Sequence, residues 1–453
     1  MLSNTNNGLI RGQSLIGILV ALAVFSILAQ AIFTVVGASF NFVSFNRARI
    51  TAKHLAQEKL ELLRNLPFDN VGTLGGVPWG PILREETITR NKLNYTVKTE
   101  IIYIDDPFDG TEGGIPDDTL ATDYKRVRVE VSWEGVATSR KNPVVLLSDI
   151  APKGVETTAG GGTLSILVFN SNGDPIPQAT VTIIANSLAP PINITTSTSD
   201  NGRVIRPGMP ICNSCYEITV TKPGYSVERT YSTSEVANPN KPHQTILDGA
   251  LTEISFAIDQ ISTLVISTVD SRENSFASLG NVNFQLRGQK TIGVDTSGQS
   301  VYKYDEALST DSSGTLNLTD FEWDNYVVIL EPSSPYDISG ANPYLPIAVL
   351  PNTNPSLVVS LSPHTTNSLL TTFVDTSNTP VASVSAILSD AGSGYSETKY
   401  SGGSSDPDFG QTFFPGLQAQ SYLMSATASG FLDFSNNIDV LNQTQEQIIL
   451  TPQ

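Results

Sequence analysis

Arg11-Gly12-Gln13-Ser14-Leu15-Ile16-Gly17-Ile18-Leu19-Val20-Ala21-Leu22 opens the stretch of this 453-residue chain whose reading decides its architecture. Twelve residues with Arg11 as their only charge give way to an apolar run, and no charge returns until Arg47. Residues 15–36 would rise about 33 Å as a helix, enough to cross a hydrocarbon core of about 30 Å. One membrane span is available. A secretory signal would have an apolar core of about 7–15 residues and its cut after that core; this run is longer. An uncleaved anchor, with Arg11 holding the N-terminus in the cytoplasm, fits the pattern. A leader cut before the apolar run fits it too, and composition alone does not separate the two.

Downstream, Arg47-Ala-Arg-Ile-Thr-Ala-Lys-His-Leu-Ala-Gln-Glu-Lys-Leu-Glu-Leu-Leu-Arg64 is rich in good helix formers. Ala48, Ala52, Leu55, Ala56, Leu63 and Leu66 recur at helical spacing, leaving the charges on other faces. The helix is therefore expected to run unbroken over residues 13–65 and to stop at Pro67 and the turn-rich residues 70–76. Its length would be about 80 Å, which a monomeric globular protein rarely needs. A partner surface follows in sequence. Residues 85–105 alternate around Ile88, Leu93, Tyr95, Val97, Ile101 and Tyr103, and Val127, Val129, Val131 and Trp133 share one face of a second strand. With Val144-Val-Leu-Leu147 these predict an antiparallel sheet over residues 85–149, covered on one face by the helix.

The residues at the start carry a resemblance. Arg11-Gly12 before Gln13-Ser14-Leu15-Ile16 resembles the prepilin signature, in which a leader ends in glycine and the mature chain opens with such a sequence. The resemblance implies a leader of residues 1–12, removed between Gly12 and Gln13 by a membrane prepilin peptidase, and methylation of the new amine on Gln13. One departure stands out: the family's usual glutamate at the fifth mature position is Gly17 here. Some minor pilins and tip pseudopilins share that loss. The run Ala56-Gln-Glu-Lys-Leu-Glu-Leu-Leu-Arg64, the Val131-Ser-Trp133 strand and Ser148-Asp-Ile-Ala-Pro152 are similar to type IV pilus modification proteins. That likeness spans about residues 8–152 and is specific only in its N-terminal part.

Residues 153–162, ending in Gly160-Gly161-Gly162, read as a flexible linker. Beyond it short β-like runs are punctuated by Asn, Asp, Gly, Pro and Ser, which predicts an all-β arm. A period of roughly 100 residues is visible. Leu164-Ser-Ile-Leu-Val-Phe169, Leu264-Val-Ile-Ser-Thr-Val269 and Leu369-Leu-Thr-Thr-Phe-Val374 each open a unit, and Tyr216, Tyr326 and Tyr422 each start a later strand. Three sandwiches are expected, over residues 163–259, 260–362 and 363–453. The first is similar to the carboxypeptidase regulatory-like, transthyretin-type module, through Asn172-Gly-Asp-Pro-Ile-Pro-Gln-Ala-Thr-Val181, Thr198-Ser-Asp-Asn-Gly202 and Tyr216-Glu-Ile-Thr-Val-Thr-Lys-Pro-Gly-Tyr225. Such a module does no chemistry.

Charge divides the chain in the same place. Residues 1–152 hold 15 basic and 16 acidic side chains, whereas the remainder holds 11 and 28, for a total net charge of −18. The arm repels phosphate backbones, so no nucleic-acid partner is expected through it. Cys212 and Cys215, the only cysteines, sit among turn formers rather than in a βαβ pattern. A local disulfide is expected outside the membrane, with free thiols as the alternative. No second cysteine pair joins His54, His243 and His364, so no tetrahedral zinc site is assigned.

Catalytic signatures are missing from the sequence: it has no P-loop, no H-E-x-x-H and no G-x-S-x-G. The pairs Asp105-Asp106, Asp117-Asp118 and Asp305-Glu306 are expected in solvated loops. The acidic stretch from Asp105 to Asp123, with Asp106, Asp109, Glu112, Asp117 and Asp118 among glycines, offers oxygen ligands suited to calcium, but its spacing is not that of an EF-hand and no metal is assigned. Tyr336, Tyr344 and Tyr395 are expected in polar loops, either packing turns or meeting a carbohydrate or protein.

The whole reads as an α+β pilin module, a long N-terminal transmembrane helix packed on an antiparallel sheet at residues 13–152, followed by all-β sandwiches in series. The expected role is a minor type IV pilin at the filament tip that primes or caps assembly and presents its sandwiches for adhesion, with no enzymatic activity and no cofactor. Its partners would be the prepilin peptidase, other pilin subunits, the cytoplasmic membrane and an extracellular ligand. Before assembly it would cross the cytoplasmic membrane once, N-terminus inside. The rivals are a permanently anchored surface receptor or stalk, and a type II secretion pseudopilin.

Overall fold

A computed structural model describes residues 15–108, 110–112, 114–118, 122–134, 143–152 and 161–453. One long helix, α1 (Leu15–Arg64), precedes a succession of strands arranged in several sheets. Its 50 residues span about 75 Å. Apolar side chains surround residues 18–43, and there Phe25, Ile27, Phe33 and Phe40 are each about 70% exposed. From Ala48 the pattern narrows to a stripe: Ala48, Ala52, Leu55, Ala56, Leu60 and Leu63 are buried, while Arg49, Lys53, Glu58 and Glu61 face water and Lys59 pairs with Glu86. The last turn tightens through Leu66 N–H to Leu63 O, and Pro67 can offer no donor to continue it.

Four strands follow in an antiparallel meander: β1 (Glu85–Arg90), β2 (Leu93–Ile104), β3 (Tyr124–Trp133) and β4 (Val144–Ile150). Register places Tyr95 opposite Trp133, Val97 opposite Val131 and Ile101 opposite Val127. Strand residues have a period of two, so these share one face, and they form one hydrophobic cluster with the buried stripe of α1. Trp133 closes its upper end against Phe45, ring centroids 5.6 Å apart. Lys125 lies on the same strand, fully buried, and donates from Nζ to Phe68 O at 2.7 Å, which ties the turn after α1 to β3. Burial pushes its ammonium down to about 8.

Three further hydrophobic clusters lie along residues 161–453, each lined by two facing sheets. Their topology repeats. In each unit the first strand runs parallel to the last: Gly162–Phe169 beside Leu251–Ala257, Ser262–Asp270 beside Ser356–Pro363, and Ser368–Val374 beside Gln443–Ile449. The opposing sheets centre on Thr180–Ala185, Asn283–Gly288 and Ser385–Asp390, each flanked by antiparallel neighbours. A buried tyrosine hydroxyl is bonded to nearby backbone in each: Tyr216 to Pro210 O, Tyr326 to Glu322 O, and Tyr422 accepting from Gln418 N–H. A buried phenol needs such a partner, and supplying it from the backbone just upstream fixes the approach to the strand.

Several expectations need correction. Gly162 belongs to the first strand of the first sandwich rather than to the linker, and the strand ending at Pro363 runs one residue past the boundary set at 362. The tyrosines of the sandwiches' central pair lie inside strands that begin earlier, at Cys212, Asp324 and Gln420. Tyr336 and Tyr395 are half-buried strand residues rather than loop residues, whereas Tyr344 lies in a loop as expected, its hydroxyl donating to Asn378 O. Asp305 and Glu306 are in a strand, where Asp305 pairs with Arg287.

Candidate functional site: the exposed half-helix and the joints of the arm

Gly12 and Gln13 lie outside the described residues; Gly17 lies in α1. Within the exposed half of α1, Ser26, Thr34 and Ser39 donate to carbonyls one turn back, at Leu22, Gln30 and Val35. Their polarity is thereby satisfied within the helix, as hydrocarbon surroundings require. Among the described residues nothing packs on this surface: the 18-residue apolar window is 0% buried. A contiguous apolar surface of this extent calls for lipid or other helices. By length and composition it fits a single-pass anchor or a signal segment.

The arm is organised by its joints. Between the sheet of β1–β4 and the first sandwich, the Arg206 side chain, 5% exposed, donates from Nη2 to Glu100 Oε1 at 2.9 Å. Arg84 directs its guanidinium to the main-chain oxygens of Asn193 and Thr195, and Asn193 N–H returns to Gly75 O at 2.8 Å. Gly208, at φ +68°, lets the two units close: a Cβ there would stand 2.8 Å from the Tyr103 ring.

At the second joint the units share a small sheet. Asn238–Pro239 of the first sandwich pairs with Thr291–Val294 of the second. Lys303 then reaches back to Val227 O and lies within ion-pair distance of Glu228 and Glu322. At the third joint, buried Gln411 grips both backbone groups of one residue, accepting from Ala341 N–H at 3.1 Å and donating to Ala341 O at 2.6 Å. Arg272 forms ion pairs with Asp406 and Asp408 beside it. Gly340 admits this approach, because a Cβ would stand 2.6 Å from Asp408 Cβ. Every joint thus combines main-chain bonding with at least one ion pair, which resists bending of the arm. Arg272 and Asp408 are 136 residues apart, so no local pattern could have found them.

A disulfide joins Cys212 to Cys215 at the start of the strand Cys212–Thr221, with Ser214 in the left-handed region between them and its N–H donating to Thr245 Oγ1 at 2.8 Å. Within the acidic loop, the carboxylates brought together are Asp105, Asp118 and Asp123, one oxygen of each within 4.8 Å of the others. Burial, opposed by the Glu112 N–H and reinforced by Asp118 and Asp123, pushes Asp105 up to about 6. All three fall within the acidic stretch considered for calcium, Asp105 and Asp123 at its ends and Asp118 inside it; Asp109 lies outside the described residues.

No protein-family model and no curated protein sequence matches the chain. Solved structures similar to parts of it include the Bacillus anthracis TIE protein, at 13% identity over 82% of this chain and 74% of that one, with a TM-score of 0.19. The Streptococcal ancillary pilin aligns at 13% identity over 65% of this chain and 99% of its own, with a TM-score of 0.18. A variant of BcpA, the major pilin subunit of Bacillus cereus, aligns at 11% identity over 64% and 99%, with a TM-score of 0.16. These scores are far below those of superposable folds, and no functional statement rests on them.

Proposed function

We propose that the chain is a minor pilin of the type IV class, with its leader cut between Gly12 and Gln13 and Gln13 then methylated, placed at the filament tip and projecting a stiff three-sandwich arm. The observation that carries this reading is the division of α1. One continuous helix presents apolar residues all round over its first half and a single buried stripe over its second. A membrane anchor needs only the first half and a soluble domain only the second. A subunit drawn from the membrane into a helical filament core needs both on one rigid element.

Gly17 supports the tip position. By the resemblance, the glutamate usual there pairs with the N-terminal amine of the subunit assembled before it. A carboxylate without such a partner in apolar surroundings is costly. A first subunit has no predecessor and tolerates glycine. The arm supports the same position, since residues 161–453 on every subunit would crowd a shaft, whereas one copy at the end projects freely. Its role there is contact with an extracellular partner, without enzymatic chemistry. Immunogold directed at the arm should mark filament ends only. Regular labelling along the shaft would remove the tip position, and cell-surface label with no filaments would favour the permanently anchored stalk.

A further inference from the structure

A cleft of about 480 Å³ lies where the sheet of β1–β4 meets the first sandwich. Four cationic side chains line it, Arg84, Lys98, Arg128 and Arg206, against two carboxylates, Glu85 and Glu100. This is an unusual balance in a chain of net charge −18. Two of the cations are compensated: Lys98 pairs with Glu85 at 3.6 Å, and Arg128 with Glu130 at 2.7 Å. The other two are not fully so. Arg206 and Arg84 share Glu100, and Arg84 meets only main-chain oxygens in its hydrogen bonds. One positive charge is left over.

Arg206 supplies the second, independent observation. Its side chain is 95% removed from solvent, and Nε–H, itself closed off from solvent, has no acceptor among the described residues. A buried guanidinium donor without a partner is costly. Burial together with the Arg206 charge also depresses the Arg84 guanidinium, although Glu100 opposes this. A negative group in the cleft would offset the charge of both guanidiniums.

We infer that this cleft binds the carboxylate of a small hydroxylated acid, of the size and kind of a sugar acid, held by Arg206 and Arg84. The left-over charge is one, which matches a monoanion rather than a doubly charged phosphate. Guanidinium planes suit a two-oxygen planar acceptor. The volume falls within the about 300–1,000 Å³ of small-molecule sites. Glu85, Thr73 and Thr195 line it with groups that bond hydroxyls, and Val77, Ile101 and Ile194 offer aliphatic surface to a ring. The inference uses only residues 73–206 and stands or falls apart from the filament reading.

Calorimetric titration of the full chain in detergent tests it, with glucuronate as probe and glucose and phosphate as comparisons. Glucuronate should bind once, with a Kd of about 1 mM, and glucose should give no saturable heat. Arg84→Gln should weaken glucuronate about tenfold and Arg206→Lys, which keeps charge but lacks the planar fork of donors, comparably, whereas paired Lys98→Gln should change it less than about threefold. Thermal unfolding of each variant without ligand checks that the joint still forms. Equal binding of glucose, tighter binding of phosphate, no heat with glucuronate, or wild-type affinity in a correctly folded Arg84→Gln variant would each overturn the inference.

Discussion

The two halves of α1 lie on one continuous helix and meet opposite surroundings. Over residues 18–43 the apolar residues are spread around the axis and exposed; over residues 48–63 Ala48, Ala52, Leu55, Ala56, Leu60 and Leu63 form one stripe buried against β2, β3 and β4, and of the large apolar residues only Ile50 and Leu62 stay exposed. The contrast teaches that the distribution of apolar residues around the axis, more than their number, separates a surface that needs an external partner from one satisfied within the chain. The largest expected effect exploits it. Ala52→Asp puts an unpaired charge at a position with 0% exposure and should destabilise the helix–sheet unit by about 3–5 kcal/mol, read by chemical denaturation. Leu28→Asp, at 57% exposure, should leave that unfolding midpoint unchanged and instead impair membrane insertion. Equal destabilisation by both would erase the distinction.

The arm sharpens the comparison from the other side, since its units are joined by polar contacts rather than an apolar stripe. Gln411→Ala leaves the Ala341 N–H and C=O buried without their partner and should cost about 1–3 kcal/mol in the stability of the third sandwich or its docking. Small-angle scattering should show a broader distribution of arm shapes in that variant. If the arm stays equally extended and stable, stiffness does not come from this joint.

A smaller effect is expected at Cys212. The bridged residues are three apart in sequence, so the loop removes little unfolded-state entropy. Cys212→Ser with Cys215→Ser should lower stability by about 1–2 kcal/mol, with the rest of the first sandwich intact by circular dichroism. Two free thiols in protein taken from its native envelope would show that the bridge is not used there.

The smallest effect is a pH slope in the loop after β2. Asp105 has a carboxyl raised from 3.8 to about 6, so the folded state holds its proton more tightly than the unfolded chain. Its favourable contribution is present below about pH 4 and is lost as pH rises through about 6. Asp105→Asn should therefore flatten the dependence of the thermal midpoint between about pH 4 and pH 7. An unchanged slope would place the effect elsewhere.

Much of this fold is written locally. Period-two runs such as Val127, Val129, Val131 and Trp133 announce a half-buried strand, and the alanine–leucine stripe of α1 announces the face that covers it. Tyr216, Tyr326 and Tyr422 recur at matching places because each sandwich uses a buried phenol to fix the same approach. The joints are not legible. Gln411 and Ala341 are 70 residues apart, and Arg206 and Glu100 are 106 apart; neither pair leaves a mark on its neighbours. The acidic group was half legible: the sequence shows that the loop is acidic, but only folding brings Asp123 beside Asp105.

The central claim is that α1 is an assembling pilin helix rather than a permanent anchor. Mass spectrometry of the mature N-terminus in the native host tests it most directly. The account predicts a chain beginning at Gln13, 12 residues shorter than the full sequence and carrying one methyl group on its amine. Gly12→Leu should block that maturation. A mature chain that retains residues 1–12, or unhindered processing of the Gly12→Leu variant, would contradict it.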